Sequence, residues 1–142
     1  MKEELLEREA QAWNALRAAL DAVPTERRTE EGVVPGWSAQ DLVWHCGYWA
    51  DYVGRELEAI AAGGSAEADD EDDDVNQRVH VEARAMTWEE AFAKSAGARE
   101  RARAALLAVG EPSESIAAEF ASETFEHYDE HAEQIASFLD RA

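Results

Sequence analysis

Between Ile116 and Phe138 one face of the chain repeats at intervals of four, four, three, four, four and three residues: Ile116, Phe120, Thr124, His127, His131, Ile135 and Phe138. That period belongs to an α-helix and to no strand. The C-terminal quarter must therefore bury one long helical stripe. Two histidines lie inside that stripe. A fold for this chain has to supply both a surface to cover the stripe and a use for two imidazoles.

The remaining sequence is helical too. Alanine occupies 29 of 142 positions, while the three prolines and eight glycines fall mostly where helices would end. A first helix is expected over Lys2–Ala22, with Leu6, Trp13, Leu16, Leu20 and Val23 on its apolar side and Pro24 at its end. Gly32-Val33-Val34-Pro35-Gly36 is bracketed by Gly and Pro and reads as a loop. Ser38 followed by Asp41 has the form of a capping box that opens a second helix. This helix runs to Ala62, where Gly63-Gly64 offers a left-handed stop. Its stripe is Leu42, His45, Trp49, Tyr52 or Val53, Leu57 and Ile60. After a short helical piece over Val75–Ala85, Thr87-Trp88-Glu89-Glu90 opens a third long helix. Trp88, Phe92, Ala102, Leu106 and Val109 mark its buried side, and Gly110 its end. Pro112 begins the connection to the last helix, read as one continuous rod.

The stretch from Gly63 to Asp74 carries six consecutive acids, Asp69 to Asp74. Such a run repels itself and stays solvated, and it lacks the spaced ligands and glycine of a calcium loop. The expectation is an all-α four-helix bundle, one domain over 1–142, with a long acidic connection between its second and third long helices.

Thirteen Lys and Arg against 32 Asp and Glu give a formal charge of −19. A surface of that sign repels phosphate backbones and anionic lipid, so nucleic acid and membrane are not expected partners. No stretch approaches the roughly 18 apolar residues of a membrane span, and no apolar run follows Met1-Lys2-Glu3-Glu4. A cytoplasmic protein is expected. Cys46 is the only cysteine, which excludes an internal disulfide and a cysteine-based zinc cluster. It reads as a small buried hydrophobe. Trp13, Trp44, Trp49 and Trp88 read as core, and Trp37 as the hydrophobic staple before the Ser38 cap.

His127 and His131 stand one turn apart on one helix face, with Cβ atoms about 5–6 Å apart. His45 lies mid-stripe on the second helix, where a bundle brings it opposite that pair. Three neutral imidazoles converging from two helices suit one divalent ion with open positions. They equally suit three core histidines, each hydrogen-bonded, with Glu126 and Glu130 as electrostatic company. Glu123, one turn before His127, and Asp41, one turn before His45, are candidate acceptors for an imidazole N–H. Asp41 also serves as a capping acid. His80 has no histidine at a facing distance and reads as surface or packing. Metal affinity at such a site should fall as pH drops through about 6.5.

Gly36-Trp37-Ser38-Ala39-Gln40-Asp41-Leu42-Val43-Trp44-His45 resembles the Trp-Ser/Thr, Asp, His signature of the DinB-like superfamily. More narrowly it is similar to the N-terminal, metal-binding group of mycothiol-dependent maleylpyruvate isomerases. Phe125-Glu126-His127-Tyr128-Asp129-Glu130-His131 resembles the closing histidine pair of that superfamily, and the region of Asp74 and Asn76 its Asp…Asn element. The resemblance spans nearly the whole chain. It implies a four-helix bundle and a divalent metal, zinc or nickel, on His45, His127 and His131. It further implies a low-molecular-weight thiol such as mycothiol as cofactor. The second C-terminal domain of maleylpyruvate isomerase does not follow here, and no Lys or Arg stands beside the histidines to clamp a dicarboxylate. The expected function is a metal-dependent, thiol-dependent transferase or isomerase acting on a small electrophile. Two other classes remain open: a non-catalytic metal-binding stress-response bundle, possible as a homodimer, and a metal-free helical interaction protein.

Overall fold

The computed structural model describes residues 1–64 and 73–141. Among these, six α-helices and one 3-10 turn account for the regular structure: α1 (Lys2–Asp21), the 3-10 turn Thr25–Arg27, α2 (Ala39–Ala61), α3 (Asp73–Arg84), α4 (Trp88–Ala108), α5 (Glu114–Glu123) and α6 (Phe125–Asp140). The architecture is an all-α bundle. Three rods are α1, α2 and α4, the fourth is formed by α5 and α6 end to end, and α3 packs against α2. The acidic connection falls on residues 65–72, which lie outside the described residues. The last two acids of the run, Asp73 and Asp74, belong to α3.

Local chemistry sets the ends of these rods. Ser38 and Asp41 form a reciprocal capping box, with Asp41 N–H donating to Ser38 Oγ at 3.1 Å and Ser38 N–H to Asp41 Oδ2 at 2.9 Å. At the far end of α2, Gly63 adopts φ +85°. Gly63 N–H then reaches Ile60 O, and Gly64 N–H reaches Ala59 O, the complete Schellman pattern. Thr87 caps α4 through Glu90 N–H. That helix stops at Ala108, two residues before Gly110, because Val109 turns extended. Its last carbonyls are taken by Lys2 Nζ, 3.3 Å from Leu107 O and 2.6 Å from Val109 O.

Two expectations about packing need correction. The last rod is not continuous: Thr124, at φ −119° and ψ −95°, separates α5 from α6. Its hydroxyl donates to Phe120 O at 2.6 Å, the back-bonding by which threonine bends helices. Of the stripe expected on α4, Ala102, Leu106 and Val109 are buried, but its two aromatic residues are not fully so. Trp88 and Phe92 are half-buried, and the seam is Ala91, Ser95, Ala98, Ala102 and Ala105 with Leu106. Small side chains let α4 approach α2 closely at Gly47 and Gly54. A Cβ on Gly47 would stand 2.8 Å from Ser95 Cα, and one on Gly54 3.3 Å from Ala102 N. Ser95 Oγ donates to Val43 O at 2.8 Å and locks the register of the pair.

Glu9 on α1 is fully buried. Arg99 holds its carboxylate through two bonds of 2.8 and 2.9 Å, and Arg103 adds a third at 2.8 Å. On the outer side of α2, Trp49 Nε1 donates to Asn76 Oδ1, Trp44 Nε1 to Glu82, and Arg78 to Tyr48 Oη. Polar bonds thus fasten α3 beside Val79 and Ala83, its two buried apolar residues.

Candidate metal centre

The capping box starts α2 two turns before His45, and the break at Thr124 starts α6 three residues before His127. These two anchors aim three imidazoles at one point. His127 Nε2 stands 3.0 Å from His45 Nε2 and 2.9 Å from His131 Nε2. One ligand atom from each ring lies within 4.8 Å of the others. Two imidazole nitrogens that share one ion tetrahedrally at about 2.0–2.1 Å each stand about 3.3 Å apart, so the two close pairs have to open slightly around it.

Burial decides the charge of this cluster. His45, His127 and His131 are 7, 9 and 7% exposed. Desolvation pushes the His45 imidazolium down to about 3, with His131 and His80 adding to the shift. Desolvation also lowers His127, with help from His131 and His45. His131 is lowered by burial, while Gln134 and Glu130 work in the opposite direction. All three rings are neutral at pH 7, the form that binds metal. Burial therefore shifts proton competition at the cluster below the unperturbed value of about 6.5.

Hydrogen bonding within the protein leaves the cluster unsatisfied. His131 Nδ1–H donates to Gln134 Oε1 at 2.6 Å, which leaves the His131 Nε2 lone pair facing inward. The Nδ1 atoms of His45 and His127 are buried without a hydrogen-bond partner among the described residues. No placement of the remaining two ring hydrogens can satisfy all three inward Nε2 atoms and both Nδ1 atoms. A cation accepts all three inward lone pairs at once, so the donor set fits a divalent ion.

The two candidate supporting acids do not behave as the spacing suggested. Asp41 reaches His80 Nε2 at 3.0 Å and Ser38 N–H, and leaves His45 Nδ1 alone. Glu123 is buried as the last residue of α5, and among the described residues His127 Nδ1 makes no hydrogen bond to it. Its field is felt by Tyr52, whose hydroxyl burial drives upward, with Glu56, Glu119 and Glu123 contributing. Cys46 is buried, and desolvation holds it as a thiol.

Three residues of this region escape a reading by histidine spacing alone. Gln134 follows His131 by three, a helical neighbour spacing that could have found it. Trp37 does not act as a simple staple: its ring meets His45 edge-on at 5.2 Å and 70° and stacks on His80 at 3.9 Å and 11°. His80 is accordingly packed rather than exposed. Alongside α6 runs a polar groove lined by Val33, Glu130, Glu133, Gln134, Ser137 and Arg141. Among the described residues no helix is long and apolar enough to cross a membrane.

A solved crystal structure of an uncharacterised protein from Escherichia coli UTI89 is similar to this chain with a TM-score of 0.83 at 15% identity. The match covers 99% of this chain and 94% of that one, and shows the fold alone. No curated protein matches the sequence. The sequence model of the DinB superfamily matches residues 10–135. With a bundle of this topology and a buried three-histidine group between two of its rods, the chain belongs to the DinB superfamily.

Proposed function

We propose that this protein is a metal-dependent enzyme in which His45, His127 and His131 hold one divalent ion, zinc or nickel. In this reading it joins a low-molecular-weight thiol, such as mycothiol, to a small electrophile, or isomerises an electrophile with such a thiol. The observation that carries the reading is the convergence of three buried, neutral Nε2 atoms from α2 and α6. A bound ion of this kind lowers the pKa of a coordinated thiol or water by several units.

The chain's own residues have separate tasks. The three imidazoles present lone pairs, and Gln134 keeps the His131 ring hydrogen on the outer nitrogen. The walls around the rings exclude bulk water and strengthen every charge interaction inside. The cluster's own imidazoles are neutral at pH 7, and the carboxylate felt there is Glu130, at His131. Such surroundings support an uncharged or cationic electrophile rather than a dicarboxylate, and so separate this chain from the substrate of maleylpyruvate isomerase. The test is conjugation of 1-chloro-2,4-dinitrobenzene by zinc- or nickel-loaded protein, with glutathione, mycothiol or bacillithiol supplied in turn. Turnover that needs both ion and thiol, and disappears in His127→Ala, is expected. Loaded protein that turns over with none of the three thiols contradicts the enzyme reading.

The exposure of only 7–9% at the histidines favours one rival, a non-catalytic metal-binding bundle. That reading expects a bound ion whose spectrum, in the cobalt form, does not respond to added thiol.

A further inference from the structure

A metal-binding imidazole is normally aimed by a hydrogen bond at its other nitrogen. His131 has one, from Gln134. His45 does not: its Nδ1 is buried with no hydrogen-bond partner among the described residues. The indole of Trp37 packs against the His45 ring, with centroids 5.2 Å apart and planes at 70°.

Trp37 is itself held from several directions. It ends a tight turn in which Gly32 N–H and Val33 N–H both donate to Trp37 O, while Trp37 N–H donates to Val34 O. Its indole face lies flat on His80, at 3.9 Å and 11°. His80 Nε2 stands 3.0 Å from Asp41 Oδ2 and 3.2 Å from Arg84 Nε, and Asp41 is fixed in turn by the Ser38 cap. Arg84 closes the assembly by donating to Gly36 O at 3.1 Å and to Glu31 at 2.6 Å. The turn before α2, the first turn of α2 and the last turns of α3 meet on one indole.

We infer that Trp37 is the positioning residue of His45, and that the pair of Asp41 on α2 and His80 on α3 acts on the metal centre through it. An aromatic edge does for His45 what Gln134 does for His131. The inference rests on His45 being a metal ligand, and it gives α3 a part in the site without any α3 side chain reaching the ion.

The test is zinc affinity of the full chain, by competition with a chromophoric chelator at pH 7.5. Trp37→Ala should weaken zinc binding by about 10–100-fold, the range for loss of an orienting partner. Trp37→Phe, which keeps a ring edge at His45, should restore most of it. His80→Ala should weaken binding less than Trp37→Ala. In the double variant Trp37→Ala/His80→Ala the second change should add nothing, because His80 works through the indole. A metal-free readout accompanies these: the His45 ring protons, shifted by the indole ring current, should move in Trp37→Ala and to a smaller extent in His80→Ala. Circular dichroism and thermal melts of each variant separate a misfolded protein from a mispositioned ring. Zinc affinity unchanged in a folded Trp37→Ala overturns this inference and leaves the metal reading intact. A wild type that binds no zinc overturns both.

Discussion

Gln134 commits its amide oxygen to the outer nitrogen of His131, and one tautomer follows. Replacing it by leucine keeps the helix and removes the acceptor, so Gln134→Leu should cost about 10–100-fold in zinc affinity. A competition titration showing no change would mean that the ring is aimed by packing alone. The depressed imidazoles make a second prediction, for the metal-free protein. The unfolded chain takes up protons at its histidines near pH 6.5, whereas the folded chain resists protonation at His45 down to about 3, and at His127 and His131 also below 6.5. Between those limits the unfolded state binds more protons, so stability is full above 6.5 and falls as the solution is acidified. The slope is up to about 1.4 kcal/mol per pH unit for each histidine. Urea unfolding from pH 7.5 to 5 should show it, and replacing all three histidines by leucine should flatten it. The three imidazoles were legible in the sequence because a helical stripe is the wrong place for solvated histidine. The support of His45 was not, because Trp37, Asp41 and His80 belong to a loop and two different helices.

The α2–α4 pair is held by small residues. Gly47→Ala would drive a Cβ against Ser95 Oγ and to 2.8 Å from Ser95 Cα. Backbone has to move, which should cost about 1–3 kcal/mol in chemical denaturation. Trimming the hydroxyl as well, in Gly47→Ala/Ser95→Ala, should not recover the loss, since the added methyl still meets the α4 backbone and the bond to Val43 O goes. Equal stability of Gly47→Ala and wild type would show that the helices can separate freely. This seam also explains what sequence patterning misjudged in α4. Large side chains dominate a hydrophobic pattern, so Trp88 and Phe92 drew the stripe toward the half-buried side while alanines filled the interface. On α1, Glu9 carries no sequence signal of burial, which comes only from Arg99 and Arg103 closing on it from α4. Leaving those guanidinium groups without a carboxylate, Glu9→Ala should destabilise the fold by about 3 kcal/mol. The break at Thr124 was equally illegible, because the residue is neither proline nor glycine and the stripe continues through it.

At the scale of the molecule, a charge of −19 is compressed onto one bundle. Mutual repulsion opposes the compact state and is screened by salt, so the thermal midpoint should rise as sodium chloride goes from a few millimolar to about 0.5 M. A midpoint that falls would mean that surface ion pairs such as Arg101 with Glu58 outweigh the repulsion. The bundle itself was readable from periodicity and capping signals, which act within a turn of helix. The same stripes already put His45 opposite the histidine pair of the last rod, and the structure brings the three together. That convergence carries the central claim, that three buried neutral imidazoles form one ion site. Elemental analysis of untagged wild type and of His127→Ala, prepared side by side, tests it most directly. The account predicts about one zinc or nickel per chain in the wild type and almost none in the variant. Equal metal in both, or none in the wild type, would contradict it.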